Sequence, residues 1–405
     1  MANASTIHGD AHIKVEVRRF GARETRVFQT PNQDDFRALM TKAFDRWLLP
    51  WMQQRLSRSK KPVSDIMLAV CDHFEPFHHT DKAGALRRMG QWHERLPALS
   101  AAARDHDGQG PRHTFFYPIE QYDSEVLDSI AELCRITRNE VEVHLHHEND
   151  TAENLVRRLE QGKVDLRRHG LLGADADGAV AFGFIHGNWA LDDSDPTGHG
   201  CGVRDELALL KQAGCYADLT MPSAPHPTQV PMVNSLYYSR STPNGCSHHR
   251  GRLAVAGTGG TRELRSSPDH LLLVQGPLTL DFKRRKWGVL PRLENADLGP
   301  QNPPTLHRMK QWLKCGISVR GAEGWCFVKL HTHGAPEHGH PSNLGPARAR
   351  FHAQIEEFAK SQGLRLHYVS AREMVNILHA AEDGHVGDAG AWRDHVYAPP
   401  PVLQR

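Results

Sequence analysis

Four stretches of this 405-residue sequence place histidines and carboxylates directly behind short apolar runs. They read Cys71-Asp72-His73-Phe74-Glu75-Pro76, His144-Leu145-His146-His147-Glu148-Asn149-Asp150, His186-Gly187-Asn188-Trp189 and His331-Thr332-His333-Gly334. A divalent first-row metal binds imidazole nitrogen and carboxylate oxygen, and a catalytic site supplies three such ligands while leaving one position for water. Asp72 or Glu75 with two groups from the 144–150 stretch makes that set, so the candidate ligands are Asp72, Glu75, His144, His146 and Glu148, and Zn2+ is the expected ion. Activated water also needs a base and an acid, for which Asp72 and His331 are the natural pair. His186, Asn188, Trp189 and His333 are then candidates for contact with substrate. One histidine at a strand end is commonly a hydrogen-bonded structural residue. Three ends carrying histidine, with an acidic pair at a fourth, are harder to explain by packing.

Those clusters need strands to hold them. Apolar runs at 66–71, 114–117, 141–144, 179–185, 217–221, 271–274, 326–330 and 366–369 alternate with helical patterns at 124–134, 150–161, 203–213, 304–314 and 347–362. That alternation marks an α/β fold with parallel strands. Eight strands with such crossovers predict a (β/α) barrel, whose functional groups collect where the strands end. Ahead of it, Phe36, Leu39, Met40, Phe44, Trp47, Leu48, Trp51, Met52 and Leu56 recur at three- and four-residue steps, an amphipathic helix bent at Pro50. Its apolar face either packs on the barrel or, with Arg55, Arg58, Lys60 and Lys61 at its end, gives residues 36–61 a peripheral membrane contact.

The expected organisation is an N-terminal extension over 1–61, a catalytic domain over 62–380 and a surface tail over 381–405. Within the domain, 239–299 is rich in Gly, Pro, Arg and His and reads as an inserted loop region over the active-site face. Gly257-Thr258-Gly259-Gly260 lacks the third glycine and the strand-turn-helix context of a dinucleotide fingerprint, and predicts a turn. His248, His249, His338 and His340 are expected to be solvated.

Composition narrows the partners. With 49 Lys plus Arg against 47 Asp plus Glu, no global field draws the chain to nucleic acid. Seven cysteines without a C-x-x-C pair indicate neither a disulfide framework nor a zinc ribbon, and suit a reducing cytoplasm. The first residues lack a basic n-region followed by an apolar h-region and no apolar run of about 18 residues follows, so neither export nor a transmembrane segment is expected.

A family resemblance rests on particular segments. His113-Thr114-Phe115-Phe116-Tyr117 resembles the second-strand ATFF segment of the polysaccharide deacetylase (NodB-homology) family, and Asn139-Glu140-Val141-Glu142-Val143-His144 resembles the GHEIGNH segment that follows it. Leu68 to Asp72 stands at the place of the acidic first-strand motif, Val328-Lys329-Leu330-His331 is similar to the late strand ending in a catalytic histidine, and 366–370 with Glu373 is similar to the last strand and turn. The similarity spans about 62 to 378. It implies a distorted (β/α)7-8 barrel that hydrolyses N- or O-acetyl groups on a sugar polymer with metal-activated water. On that mapping Asp72 is the acidic group, His144 a ligand and His331 the general acid.

The chain departs from the pattern in three places. Asp72 is followed by His73 where the family has a second Asp, position 148 is Glu instead of His, and His186-Gly187-Asn188-Trp189 replaces an Arg-Pro pair. Asp72 is therefore base or ligand, with Glu75 or His73 as the alternative ligand, and His146, His147 or Glu148 completes the set. Trp189, Trp287, Tyr237 and Tyr238 are candidates for stacking on sugar rings or for core packing. Arg284, Arg285 and Lys286 beside Trp287 fit an anionic sugar or lipid-linked diphosphate, or a solvated loop.

The expected activity is thus metal-dependent deacetylation of a polysaccharide or its lipid- or nucleotide-linked precursor. A glycoside hydrolase pairing Asp72 with Glu148 or Asp192 is the second expectation, separable because a chelator would spare it. A noncatalytic carbohydrate-binding protein is the third, separable because its sugar binding would survive loss of Asp72.

Overall fold

The computed structural model describes residues 12–19, 22–29, 43–57 and 62–404. A hairpin, β1 (His12–Arg19) and β2 (Ala22–Gln29), precedes helix α1 (Phe44–Ser57). There follow β3 (Asp65–His73), α2 (Lys82–Ala101), β4 (Thr114–Pro118), α3 (Ser124–Thr137), β5 (Glu140–Leu145), α4 (Ala152–Arg168), β6 (Val180–His186), α5 (Glu206–Gln212) and β7 (Cys215–Asp218). The chain continues through β8 (Leu236–Arg240), β9 (His270–Val274), the hairpin β10 (Thr279–Lys286) and β11 (Leu290–Glu294), α6 (Leu306–Leu313), β12 (Trp325–Thr332), α7 (Pro346–Ser361), β13 (Arg365–Tyr368) and α8 (Ala371–Glu382).

The main sheet runs β8-β9-β7-β6-β5-β4-β3-β12, with Arg252–Leu253 added outside β8 and β13 also paired to β3. Strand pairs from β9 through β12 are parallel, while β8 is antiparallel to β9. This is an α/β fold, and each of the eight apolar runs contains strand, although the run at 217–221 is strand only through Asp218. β3 accepts β13 along its first half and β4 along its second, so the sheet forks there. The ladder among the described residues does not close into a ring. Instead Lys329 of β12 reaches across and donates to the carbonyls of Leu219 and Met221 beyond β7.

β3 is buried along its whole length, as a parallel strand covered on both faces should be. Met67, Ala69 and Cys71 join Phe116, Ile185, Ala217 and Phe327 on the inner face; Ile66, Leu68 and Val70 pack outward with Trp312, Phe351 and Ile355. α8 belongs to the inner core, and all twelve of its residues are buried. A Ser370–Glu373 capping box starts it, Ala371 N–H donates to Thr114 Oγ1, and Arg372 pairs with Glu140 at 2.8 Å. It thereby plugs the end where β4 and β5 begin, leaving the opposite end for chemistry.

Three expectations change. The tail after Glu382 is packed: Tyr397 stacks on Tyr216, and Arg393 pairs with Asp105, Asp107 and Glu373. Its density of Gly, Ala and Pro marks tight turns packed on the core, not a free extension. Segment 239–299 is likewise no separate lid, since β9 lies in the main sheet between β7 and β8. His248 and His340 are buried, with His248 fully enclosed. In α1, Trp47 and Trp51 pack on Ala224, Val233, Leu278 and Leu280, so the face bearing both indoles is core-facing; 36–42 and 58–61 lie outside the described residues. Gly257 and Gly259 adopt positive φ in a turn.

Candidate functional site

Side chains alternate along a strand, so neighbours in one end cluster face opposite ways. Cys71 and His73 of β3 share the inner parity, whereas Asp72 shares that of Ile66, Leu68 and Val70. In β5, Val141, Val143 and Leu145 pack toward the helices, which turns His144 inward. In β6, Phe182 and Phe184 pack outward and Ile185 inward, which turns His186 outward. Phe327 fixes the same phase for β12, so His331 faces in.

Three of the expected ligands meet on the inner side. Glu75 Oε1 lies 3.5 Å from His144 Nε2 and 3.6 Å from His146 Nε2. Two atoms bound to zinc at tetrahedral angles, each about 2.0–2.1 Å from the ion, stand roughly 3.3–3.4 Å apart, close to both separations. Each imidazole is also held by its other nitrogen. His144 Nδ1 donates to the Ile185 carbonyl at 2.9 Å, which leaves its buried Nε2 without a hydrogen-bond partner, and His146 Nδ1 donates to Glu120 Oε1 at 2.6 Å. A carbonyl or carboxylate behind a ligating histidine fixes its tautomer and raises its basicity. Gly187 makes room for this arrangement, since a Cβ there would come within 2.4 Å of the His146 ring.

Charge follows from the same contacts. Burial alone would raise the Glu75 carboxyl, but His144 and His146 pull it well below the usual carboxylate range. Burial lowers His144. Burial opposes the charge on His146 too, yet Glu120 and Glu75 raise it to about 9. Buried Glu75 and His144 and half-buried His146 could hold a metal ion, and His73, Glu75 and His333 form an adjoining group that shares Glu75.

Other rings surround this point. His73 lies 4.9 Å from His144 and 4.6 Å from His333 between centroids, and Trp189 lies 6.3 Å from both His73 and His333. Trp189 has φ of +56°, a left-handed conformation that bulky residues rarely adopt and that clusters at functional sites. Burial holds His73 and His331 well below the usual imidazole value, and each has a buried Nδ1 without a hydrogen-bond partner. Both are therefore neutral at neutral pH.

The remaining expected residues lie elsewhere. Asp72 turns outward, where His113 Nε2 at 2.8 Å and the Gly334 N–H at 2.7 Å occupy its two oxygens. Glu148 is exposed beside His199. His186 faces Glu206 on the helix side, and the Asn188 amide donates to the carbonyls of His147 and Gly200, which makes it a loop brace. Asp192 accepts from Ser247 and Ser241 and shares no partner with Asp72 or Glu148. Tyr237 and Tyr238 are buried core residues, while Trp287 is exposed on the β10–β11 hairpin. Two residues of consequence were overlooked, Glu120 and His113. Glu120 sits just beyond the 114–117 run, where the strand-end test that found the other clusters would have found it.

No family model matches this chain, and no curated protein matches it.

Proposed function

We propose that this protein is a divalent-metal-dependent hydrolase of acetylated carbohydrate, with Glu75, His144 and His146 as the ligands and zinc as the ion. The observation that carries the metal reading is the pair of Nε2 atoms, each backed through its Nδ1, converging on one carboxylate oxygen at 3.5 and 3.6 Å. The carbohydrate reading rests on the sequence resemblance over about 62 to 378, and on it the curled sheet is a distorted, incompletely closed deacetylase-type (β/α) barrel.

When bound, a divalent ion supplies Lewis acidity toward water and an acyl carbonyl. The chain's own groups move the protons. Burial holds His73 and His331 neutral, so one of them takes the single proton released by the attacking water and returns it to the leaving amine or alcohol. This order differs from a resting general acid at His331. Trp189 offers an apolar face for a sugar ring and His333 stands at the half-buried rim. No helix among the described residues is long and apolar enough to cross a membrane, and we place the substrate among lipid- or nucleotide-linked precursors in a reducing cytoplasm where the seven free thiols persist.

The test is acetate release from N-acetylated and O-acetylated oligosaccharides by zinc-replete protein, with and without chelator. Chelator-sensitive release is expected. Cleavage of glycosidic bonds that survives the chelator would replace this reading with the glycosidase, and saturable sugar binding without turnover would replace it with the binding protein.

A further inference from the structure

A second cluster lies back to back with the first, on the helix-facing side of the same strand ends. His147 follows His146 by one residue, His186 ends β6, Cys201 lies in the loop 187–205, and Glu206 opens α5. All four side chains are buried, and their donor atoms lie within 4.8 Å of one another. His147 Nε2 is 3.0 Å and His186 Nε2 3.8 Å from Glu206 Oε1, and Cys201 Sγ is 3.5 Å from Glu206 Oε2. The ion-pair partners of Glu206 among the described residues are these two imidazoles.

Two features point to a ligand and not to a finished hydrogen-bond network. The His186 ring is fully buried, and its Nε2 is aimed into the cluster without a hydrogen-bond partner. His147 Nδ1 lies 3.1 Å from Asp150 Oδ2 in an ion-pair contact without a hydrogen bond, so a second buried imidazole nitrogen of the cluster is also unpartnered. Glu206 is oriented by the backbone, because its Oε2 accepts the Asp192 N–H at 2.6 Å and leaves Oε1 turned toward the imidazoles.

We propose that His147, His186, Cys201 and Glu206 bind a second divalent metal, structural in role and zinc by ligand type. Four protein donors of nitrogen, sulfur and oxygen close a tetrahedral shell with no place for water, the mark of a structural site. The Asn188 N–H donates to His186 Nδ1 at 3.1 Å, so ligation through Nε2 requires the ring proton to leave Nε2 and gives up that hydrogen bond and the His147–Glu206 one for metal bonds. Binding would tie the β5–α4 loop, the end of β6, the loop 187–205 and α5 to a single point. That loop carries Trp189 and the first segment carries His146, so the second metal would brace the first site from behind. The proposal does not rest on the hydrolase reading.

Elemental mass spectrometry on zinc-reconstituted protein should find two metals per chain in wild type, one in His144→Ala and one in Cys201→Ser. Cobalt substitution separates the sites, because only the second has a thiolate: an ultraviolet thiolate-to-cobalt charge-transfer band is expected in wild type and in His144→Ala, and should vanish in Cys201→Ser. One metal in wild type with that band present would keep this site and remove the Glu75 site. A cobalt-loaded wild type and His144→Ala without the band overturn the proposal, and this arm holds even where Cys201→Ser fails to fold.

Discussion

Asp72 and His73 are adjacent in β3 and serve opposite faces of it: the Asp72 carboxylate takes His113 Nε2 at 2.8 Å beneath α2, while His73 packs against the His144 and His333 rings on the inner side. The acidic residue that the motif order singles out is therefore part of a buried pair behind the site. Asp72→Asn should keep full metal content and lose on the order of 2 kcal/mol of stability, the contribution of a charged buried hydrogen bond. Metal analysis and urea unfolding on the same preparation check this. Metal lost from a variant that still unfolds cooperatively would place Asp72 among the ligands after all.

Among the described residues Glu120 reaches the proposed Glu75, His144 and His146 ligand group by hydrogen bonds to His146. Glu120→Gln should weaken metal affinity about 10- to 100-fold without abolishing binding, as loss of a carboxylate behind a histidine ligand does. Competition with a metallochromic chelator measures it. An unchanged affinity would mean that His146 is oriented by Gly187 and Glu75 alone.

Proton transfer should separate from metal binding. His331→Ala or His73→Ala, whichever removes the proton carrier, is expected to lower turnover by about 10²- to 10⁴-fold with metal retained, whereas His144→Ala should empty the first site. Loss of metal in His73→Ala would move the centre to the adjoining His73, Glu75 and His333 group.

His367 makes a pH prediction at the other end of the sheet. Burial disfavours its charge, but Asp107 at 2.8 Å and Asp65 at 3.0 Å raise it to about 9. Its folded value exceeds its unfolded one near 6.5, so its contribution is complete below about pH 6.5 and is lost as pH rises to about 9. Asp107 behaves oppositely: burial would raise it, His367 and Arg393 lower it to about 2, and its contribution is lost as pH falls from about 3.8 to about 2. Thermal unfolding across pH 6 to 10 should show the alkaline decline in wild type, and a flatter profile in His367→Gln. Parallel profiles would assign the decline to other groups.

The parts of the fold that were legible share a cause. Parallel strands covered on both faces need nearly continuous apolar runs, and polar residues cluster where those runs stop, so strands and end clusters stand out in the chain. The overlooked α2 carries Arg88, Trp92 and His93 amid charged neighbours and lacks the clean apolar stripe that periodicity detects, while α8 carries Arg372, Glu373 and His379 and is buried on every side. Their burial is made possible by partners remote in sequence, such as Glu140 for Arg372 and Glu337 for Arg88.

By itself, the sequence determined that this is an α/β chain with histidine and carboxylate groups gathered at one end of its strands. Which member of each cluster enters the site was decided only by the tertiary structure. A strand buried on both sides shows no alternation of polar and apolar residues, so its phase cannot be read along the chain. Packing sets that phase, sending His73, His144 and His331 to the inner face and Asp72 and His186 to the other.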